Sequence, residues 1–298
     1  MAVTYKMNLI KLVETFHSDE ACRQYLEKLR WPNGPACPRC EEAEPNDLPN
    51  RDQYECRSCG FHFSVTCGTI MHDTHLPLSK WLMAVYLMVE SKKGISANQL
   101  KRTLCVAYQT AWYLCQRIRT ALYTPHALMT GVVEIDETYI GGRRKNVGMG
   151  YKKNKTLVVG AIERGGELRT RTVNRVTSPT LRKFINDHVC EDAEAIFTDE
   201  RTAYKGIAPT AKRRHEWVTH SADEYVRGDV HTNSVENAWS LFKRSVVGAY
   251  HKISKKHLDL YLDEFEFRFN NRNNPYIFRD ALKELLTSGN VEYKELVA

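Results

Sequence analysis

The chain has 298 residues, a length that suggests about two domains. Its apolar and charged fractions are those of a soluble globular protein, and the longest apolar candidate, Trp81 to Val89, falls far short of the roughly 20 residues a membrane span needs. The net charge of +7, from 43 basic against 36 acidic residues, suits a polyanionic partner without requiring one. The N-terminal stretch is amphipathic and lacks a signal-peptide apolar region, so the expected location is the cytoplasm.

Residues 1–35 form the first predicted segment, a helix over 1–30 with Ser18 as an N-cap, closed by Trp31-Pro32-Asn33-Gly34-Pro35. Residues 36–68 are short, turn-rich and cysteine-bearing. Tyr54 to Arg57 and Phe61 to Val65 alternate like strands around Ser58-Cys59-Gly60. Residues 76–125 turn helical: Leu78 to Met88, Ala97 to Leu104 behind the cap Ser96, and Gln109 to Leu122. From Gly131 the pattern becomes strands: Val132 to Asp136, Thr156 to Ile162 and Leu168 to Val176, with Gly165-Gly166 as a hairpin signal. A helix over Pro179 to Val189, a buried strand over Ala195 to Thr198, a strand near Trp217, and helices over Thr232 to Val246 and Lys255 to Asn270 follow. This α/β region is assigned to 130–285.

Four of the nine cysteines form two Cys-x-x-Cys pairs, Cys37/Cys40 and Cys56/Cys59, with fifteen residues between them. Two such knuckles let four thiolates reach one tetrahedral ion, and a hairpin this small needs the metal to fold. The reading is a zinc ribbon holding one structural Zn2+, with Cys67 and His62 as lower-ranked substitutes for one ligand. In the helical segment, three helices with a capped turn outline a helix-turn-helix. Gln109, Thr110, Gln116, Arg117 and Arg119 on its last helix are the expected DNA contacts, with Trp112 and Leu114 packing inward. The competing reading is a plain helical connector with a solvated basic face.

Three carboxylates carry the chemistry of the α/β region. Asp136 is expected at the end of the first strand, Asp199 just after a short buried strand, and Glu236 on a helix, with 36 residues between the last two. Carboxylates at strand ends face the crevice at a sheet edge, and three of them can hold two Mg2+ or Mn2+ ions about 4 Å apart for in-line phosphoryl displacement. Lys243 follows Glu236 by seven residues, two turns along the same helical face, where a cation can hold a phosphate. His231, Asn233 and Arg244 are further candidates for DNA contact. Glu134 shares a strand face with Asp136 and is the alternative ligand, while Glu137 points the other way. Arg143, Arg144 and Lys145 begin a basic stretch that runs through Lys152, Lys153 and Lys155 and suits the DNA backbone. The Lys212-Arg213-Arg214 run is ambiguous in the same way.

The sequence resembles the zinc-ribbon DDE transposases of bacterial insertion sequences. The matching pieces are Cys-Pro-Arg-Cys with Cys-Arg-Ser-Cys-Gly, Asp136 to Gly142 (Asp-Glu-Thr-Tyr-Ile-Gly-Gly), Thr198-Asp199, His231 to Asn237 (His-Thr-Asn-Ser-Val-Glu-Asn), and Glu264 to Arg272. In family order these cover nearly the whole chain. The resemblance implies a ribonuclease-H-like fold, a mixed sheet flanked by helices, with Asp136, Asp199 and Glu236 as metal ligands. It also implies binding of terminal inverted repeats, release of 3'-hydroxyls and strand transfer into double-stranded target DNA. The expected assembly is a homodimer or larger, associated with the nucleoid. The alternatives are a nuclease of the same fold that does not join, and a non-enzymatic zinc-ribbon regulator.

Overall fold

Where the sequence suggested one helix over residues 1–30, the computed structural model, which describes residues 6–141, 155–204 and 214–297, has two. α1 (Leu9–Thr15) begins at Asn8, whose side chain accepts from the Lys11 amide at 2.9 Å, and α2 (Asp19–Arg30) begins at Ser18, which accepts from the Ala21 amide at 3.2 Å. The break falls where Ser18 takes up extended backbone and offers its hydroxyl to an orphan N–H of the next helix. A small antiparallel sheet follows, β1 (Asn46–Leu48), β2 (Gln53–Glu55) and β3 (His62–Phe63). Three helices come next: α3 (Leu78–Glu90), α4 (Ala97–Leu104) and α5 (Tyr108–Ala121). Ser96 caps α4, accepting from the Gln99 amide, and Cys105 closes it with φ at 51°. Cys105, Val106 and Ala107 are thus the whole connection to α5.

The second unit, residues 125–270, is built on a five-stranded sheet. Its strands are β4 (Val132–Ile140), β5 (Thr156–Glu163), β6 (Leu168–Val173), β7 (Ala195–Asp199) and β8 (Arg214–Val218), in the order β6-β5-β4-β7-β8. The first three are antiparallel neighbours; β7 joins β4 in parallel and β8 joins β7 in parallel. The parallel step needs a crossover, which α6 (Ser178–His188) supplies, with Pro179 in its first turn. α6 covers one face: Leu181, Phe184 and Ile185 pack on Val133, Ile135, Val159, Ala161 and Ile196. The other face is covered by α7 (Asn233–Ser245), which continues into a π-helical turn over Val246–Tyr250, and by α8 (Leu258–Asn270).

The edge strand β6 is sealed by side chains of α8. The Leu168 amide donates to Asn270 Oδ1 at 2.7 Å, the Thr170 amide and hydroxyl to Glu266 Oε1 at 2.5 Å, and the Thr172 amide to Asp259 Oδ1 at 3.2 Å. Outward-facing amides that would leave an edge open are thereby satisfied within the unit. Burial pushes Glu266 up to about 7 against the pull of the Thr170 hydrogen bonds, and pushes Asp263 up to about 6. A carboxyl with a raised folded-state pKa gives a stabilisation that is complete below its unfolded pKa and is lost as pH rises through the folded one. The Glu266 contribution should therefore fade between pH 4.5 and about 7. Glu266→Gln is expected to flatten the fall of the thermal midpoint over that window, by on the order of 3 kcal/mol at most. Equal slopes in both proteins would show that Glu266 does not titrate there.

After α8 the chain returns to the first unit, which comprises residues 1–124 with 271–298. α9 (Ile277–Thr287) and α10 (Tyr293–Val297) were not read from the sequence. α9 buries Ile277, Phe278, Ala281, Leu282, Leu285 and Leu286 and packs on α2 and α3, with Phe278 against Phe16 and Tyr86. Residues 271–285, assigned from the sequence to the α/β region, thus pack with the helical unit, because this apolar stripe finds its partners there. No helix among the described residues is long and apolar enough to cross a membrane.

Candidate active site

Strand register brings Asp136 and Asp199 together. In the parallel pair of β4 and β7, Glu134 stands opposite Phe197, so two residues further along both strands Asp136 is level with Asp199 on the same face. The sequence placed Asp136 at the end of its strand, but β4 continues to Ile140 because β5 pairs with it antiparallel throughout. It is β7 that stops, at Asp199. Glu236 arrives on α7, whose Val235, Ala238, Trp239 and Phe242 pack on Ile140, Val158 and Ile162. Gly160 permits this close approach: it pairs with Asp136, and a Cβ on it would stand 2.7 Å from Trp239 Cη2.

Asp136, Glu137, Glu236, Lys243 and Arg244 line one opening, with both cations exposed. Burial, then the neighbouring Glu137, Asp199 and Glu236 carboxylates, push the Asp136 carboxyl up to about 7. Glu137, on the α6 face as expected from the strand alternation, is buried; it accepts from the Tyr204 hydroxyl at 2.6 Å and pairs with Arg201. Arg201 Nε also lies 3.5 Å from Asp199. Glu236 is exposed and accepts from the Thr232 hydroxyl at 2.9 Å. Crowded carboxylates of this kind suit hard divalent cations, whose charge relieves the repulsion that raises Asp136. Among the described residues, the group of His, Cys, Asp or Glu whose ligand atoms all lie within 4.8 Å of one another is the four ribbon cysteines and not these carboxylates. A pair of ions about 4 Å apart needs a wider ligand spacing than a single tetrahedral site.

The alternative ligand Glu134 is committed elsewhere. Fully buried, it accepts from Arg164 Nε at 2.7 Å, the Ser234 amide at 2.7 Å, the Ser234 hydroxyl at 3.0 Å and the Val235 amide at 3.3 Å. A carboxylate at the N-terminus of α7 satisfies its orphan amides and the positive end of its dipole. Arg164 reaches on to the carbonyls of Asp229 and His231. His231 Nδ1 lies 3.2 Å from Glu134, so this expected DNA contact faces the latch that Glu134 and Arg164 form at the start of α7, whereas Asn233 is exposed. Sequence reading missed Arg164, Arg201, Tyr204 and Gly160. The pairing of Gly160 with Asp136 depends on sheet register, which no local pattern declares.

In the helical unit the expected DNA contacts separate into two sets. Gln109 and Thr110, in the first turn of α5, are exposed. Gln116, Arg117 and Arg119 are buried, which corrects their reading as DNA contacts. Arg117 donates to the His72 carbonyl and to Asn290 Oδ1, and lies over the rings of Trp81 and Tyr113. The later turns of α5 are core, so its charged residues there serve packing. Arg143, Arg144, Lys145, Lys152, Lys153, Lys212 and Arg213 lie outside the described residues.

The ribbon cysteines converge. Cys37 Sγ lies 3.8 Å from Cys59 Sγ, and Cys40 Sγ lies 3.4 Å from Cys56 and 3.5 Å from Cys59. A tetrahedral zinc with Zn–S near 2.3 Å holds its sulfurs about 3.8 Å apart, so the four thiols fit the ion. The Cys59 amide hydrogen-bonds Cys56 Sγ and, as the largest cause, brings that thiol down to about 7, favouring the thiolate a metal needs. Cys67 packs on the apolar side of the ribbon and His62 lies beside Glu55, so neither belongs to the group. Trp31 packs edge-on against Tyr54 and Phe63. A strong chelator is expected to release about one zinc per chain and to change the Trp31 environment while the thermal transition of the α/β unit persists. Cys40→Ser should purify without the ion; full zinc occupancy in that variant would contradict the four-cysteine site.

A mixed sheet with three antiparallel strands, two parallel additions and acidic residues at the junction is the ribonuclease-H-like class. A family model described as an ISXO2-like transposase domain matches residues 128–270, and one described as a transposase zinc-ribbon domain matches residues 17–62. A transposase-like protein of Haemophilus influenzae is 31% identical over 102 residues, covering 34% of this chain and 80% of that protein. A protein in transposable element ISH50 of Halobacterium salinarum is 29% identical over 293 residues, covering 92% of this chain and 98% of that one. A chain of a pre-cleavage Mos1 transpososome aligns with a TM-score of 0.27 at 12% identity, covering 69% of this chain and 74% of that one. The chain belongs to the insertion-sequence transposases.

Proposed function

We propose that the chain is the DNA-cutting and DNA-joining enzyme of its element. It binds terminal inverted repeats, hydrolyses the phosphodiester at each end to free a 3'-hydroxyl, and directs that hydroxyl onto target DNA. Asp136, Asp199 and Glu236 would hold two Mg2+ or Mn2+ ions, which supply a metal-activated nucleophile and stabilise the leaving oxygen. The chain's own part is placement. β4 and β7 set two carboxylates side by side, α7 brings the third, and Lys243 on the same helix offers a cation to a phosphate. The observation that carries this reading is the register of β4 and β7, which puts Asp136 and Asp199 on one face under a helix bearing Glu236, with the Asp136 carboxyl raised by burial and then by its acidic neighbours. The exposed first turn of α5, with Gln109 and Thr110, is the part of the helical unit suited to base edges. Both chemical steps are phosphoryl transfers, so one site serves both, and paired ends call for at least two copies of the chain.

The test is a cleavage and strand-transfer assay on duplexes carrying the element's ends, in Mg2+, Mn2+ and EDTA. Metal-dependent nicking followed by joined product is expected. Nicking without joining would reduce the protein to a nuclease of this fold, and end binding without nicking at any metal concentration would make it a regulator.

A further inference from the structure

The α/β unit has a second opening, basic where the first is acidic. Tyr139 near the end of β4, Lys155 before β5, Asn174 and Arg175 after β6, Arg201 after β7 and Lys255 before α8 meet there, and no carboxylate lines it among the described residues. Lys255 Nζ donates to Asn174 Oδ1 at 3.3 Å, which ties the two sides of the opening together. Arg201 links this opening to the acidic residues, since it pairs with Glu137 and approaches Asp199. Tyr139 lies three residues beyond Asp136 on the same strand with 39% of its surface exposed, a large ring left in solvent beside four cations.

A polyanion entering a cluster of carboxylates is repelled unless fixed positive charge flanks its path. We propose that this basic opening holds the phosphodiester backbone of the DNA strand adjacent to the phosphate being cut, on the side of the carboxylates away from Lys243. The proposal rests on the transposase reading and adds the path of the strand. Cations drawn from three strand ends and a helix start recognise phosphate without reading sequence, so their contribution is the same for any duplex.

Arg175 and Lys255 are exposed, so glutamine at either position leaves the core intact. Affinity for an element-end duplex and for an unrelated duplex is measured by fluorescence anisotropy from 50 to 300 mM salt, for wild type, Arg175→Gln, Lys255→Gln and the double variant. Each single substitution is expected to lower the slope of log affinity against log salt by about 0.9, and the double by about twice that, equally on both duplexes. Neutral methylphosphonates at the phosphates flanking the cut should weaken wild type and leave the double variant unchanged. A double variant with the wild-type slope, or one still sensitive to the methylphosphonates, overturns the proposal while a cutting wild type keeps the transposase reading. A wild type that neither binds nor nicks overturns both. Unchanged thermal midpoints confirm that the variants are folded.

Discussion

Asp199→Asn is expected to abolish metal-dependent nicking while leaving the fold and end binding in place. The substitution keeps the volume of the side chain and an oxygen able to accept from the Arg201 amide, as Asp199 Oδ1 does at 3.0 Å. What it removes is one of the charges beside Asp136. If that charge helps to hold the ions, its loss costs several kcal/mol in the transition state, a rate decrease on the order of a thousandfold or more. The same change relieves repulsion in the metal-free protein, so its thermal midpoint should stay level or rise. A variant that loses activity together with stability would point to a structural role, and one that nicks at more than about a tenth of the wild-type rate would remove Asp199 from the metal site.

Glu134 should behave in the opposite way, with stability and activity falling together. Glu134→Ala leaves the Ser234 and Val235 amides and Arg164 Nε without their acceptor in a buried place. Removing one partner of a buried ionic network costs about 3–5 kcal/mol, discounted here because a quarter of the Arg164 side chain reaches solvent. The start of α7 should loosen, and with it the placement of Glu236. The metal concentration that gives half-maximal nicking should therefore rise in the variant. Glu134→Gln keeps an acceptor for the helix amides and gives up the charge opposite Arg164, so it should recover part of both losses. An alanine variant with wild-type stability and metal dependence would show that the latch does not position α7.

The elements whose residues announce themselves locally were legible. Ser18 and Ser96 cap the helices they were expected to cap, and the two Cys-x-x-Cys pairs converge as their spacing requires. Asp136, Asp199 and Glu236 could be named because short motifs surround them. Their relation could not, because it depends on β4 outlasting its parallel partner and on Gly160 clearing room for Trp239. Charge misled where burial decides. Arg117 and Arg119 were expected to contact DNA as basic residues of the last helix, yet they lie in the core of the helical unit, where Arg117 bonds a carbonyl from residue 72 and an amide side chain at residue 290. α9 was overlooked although its apolar positions repeat with helical spacing, since its partners α2 and α3 lie on the far side of the α/β unit in the chain.

That distance has a consequence for how the protein is made. The helical unit is discontinuous: the ribosome delivers its first 124 residues, then the entire α/β unit, and only then the α9 stripe that covers α2 and α3. Until synthesis passes Leu286, apolar surface on those two helices has no native cover, while the α/β unit already has every strand and helix of its own sheet. A nascent chain can therefore complete its carboxylate cluster before it completes the unit that carries the exposed turn of α5. Under the function proposed here, cutting would be assembled before targeting, and a chain released early would be handled by proteases and chaperones as an unfinished product before it could act on the genome that encodes it.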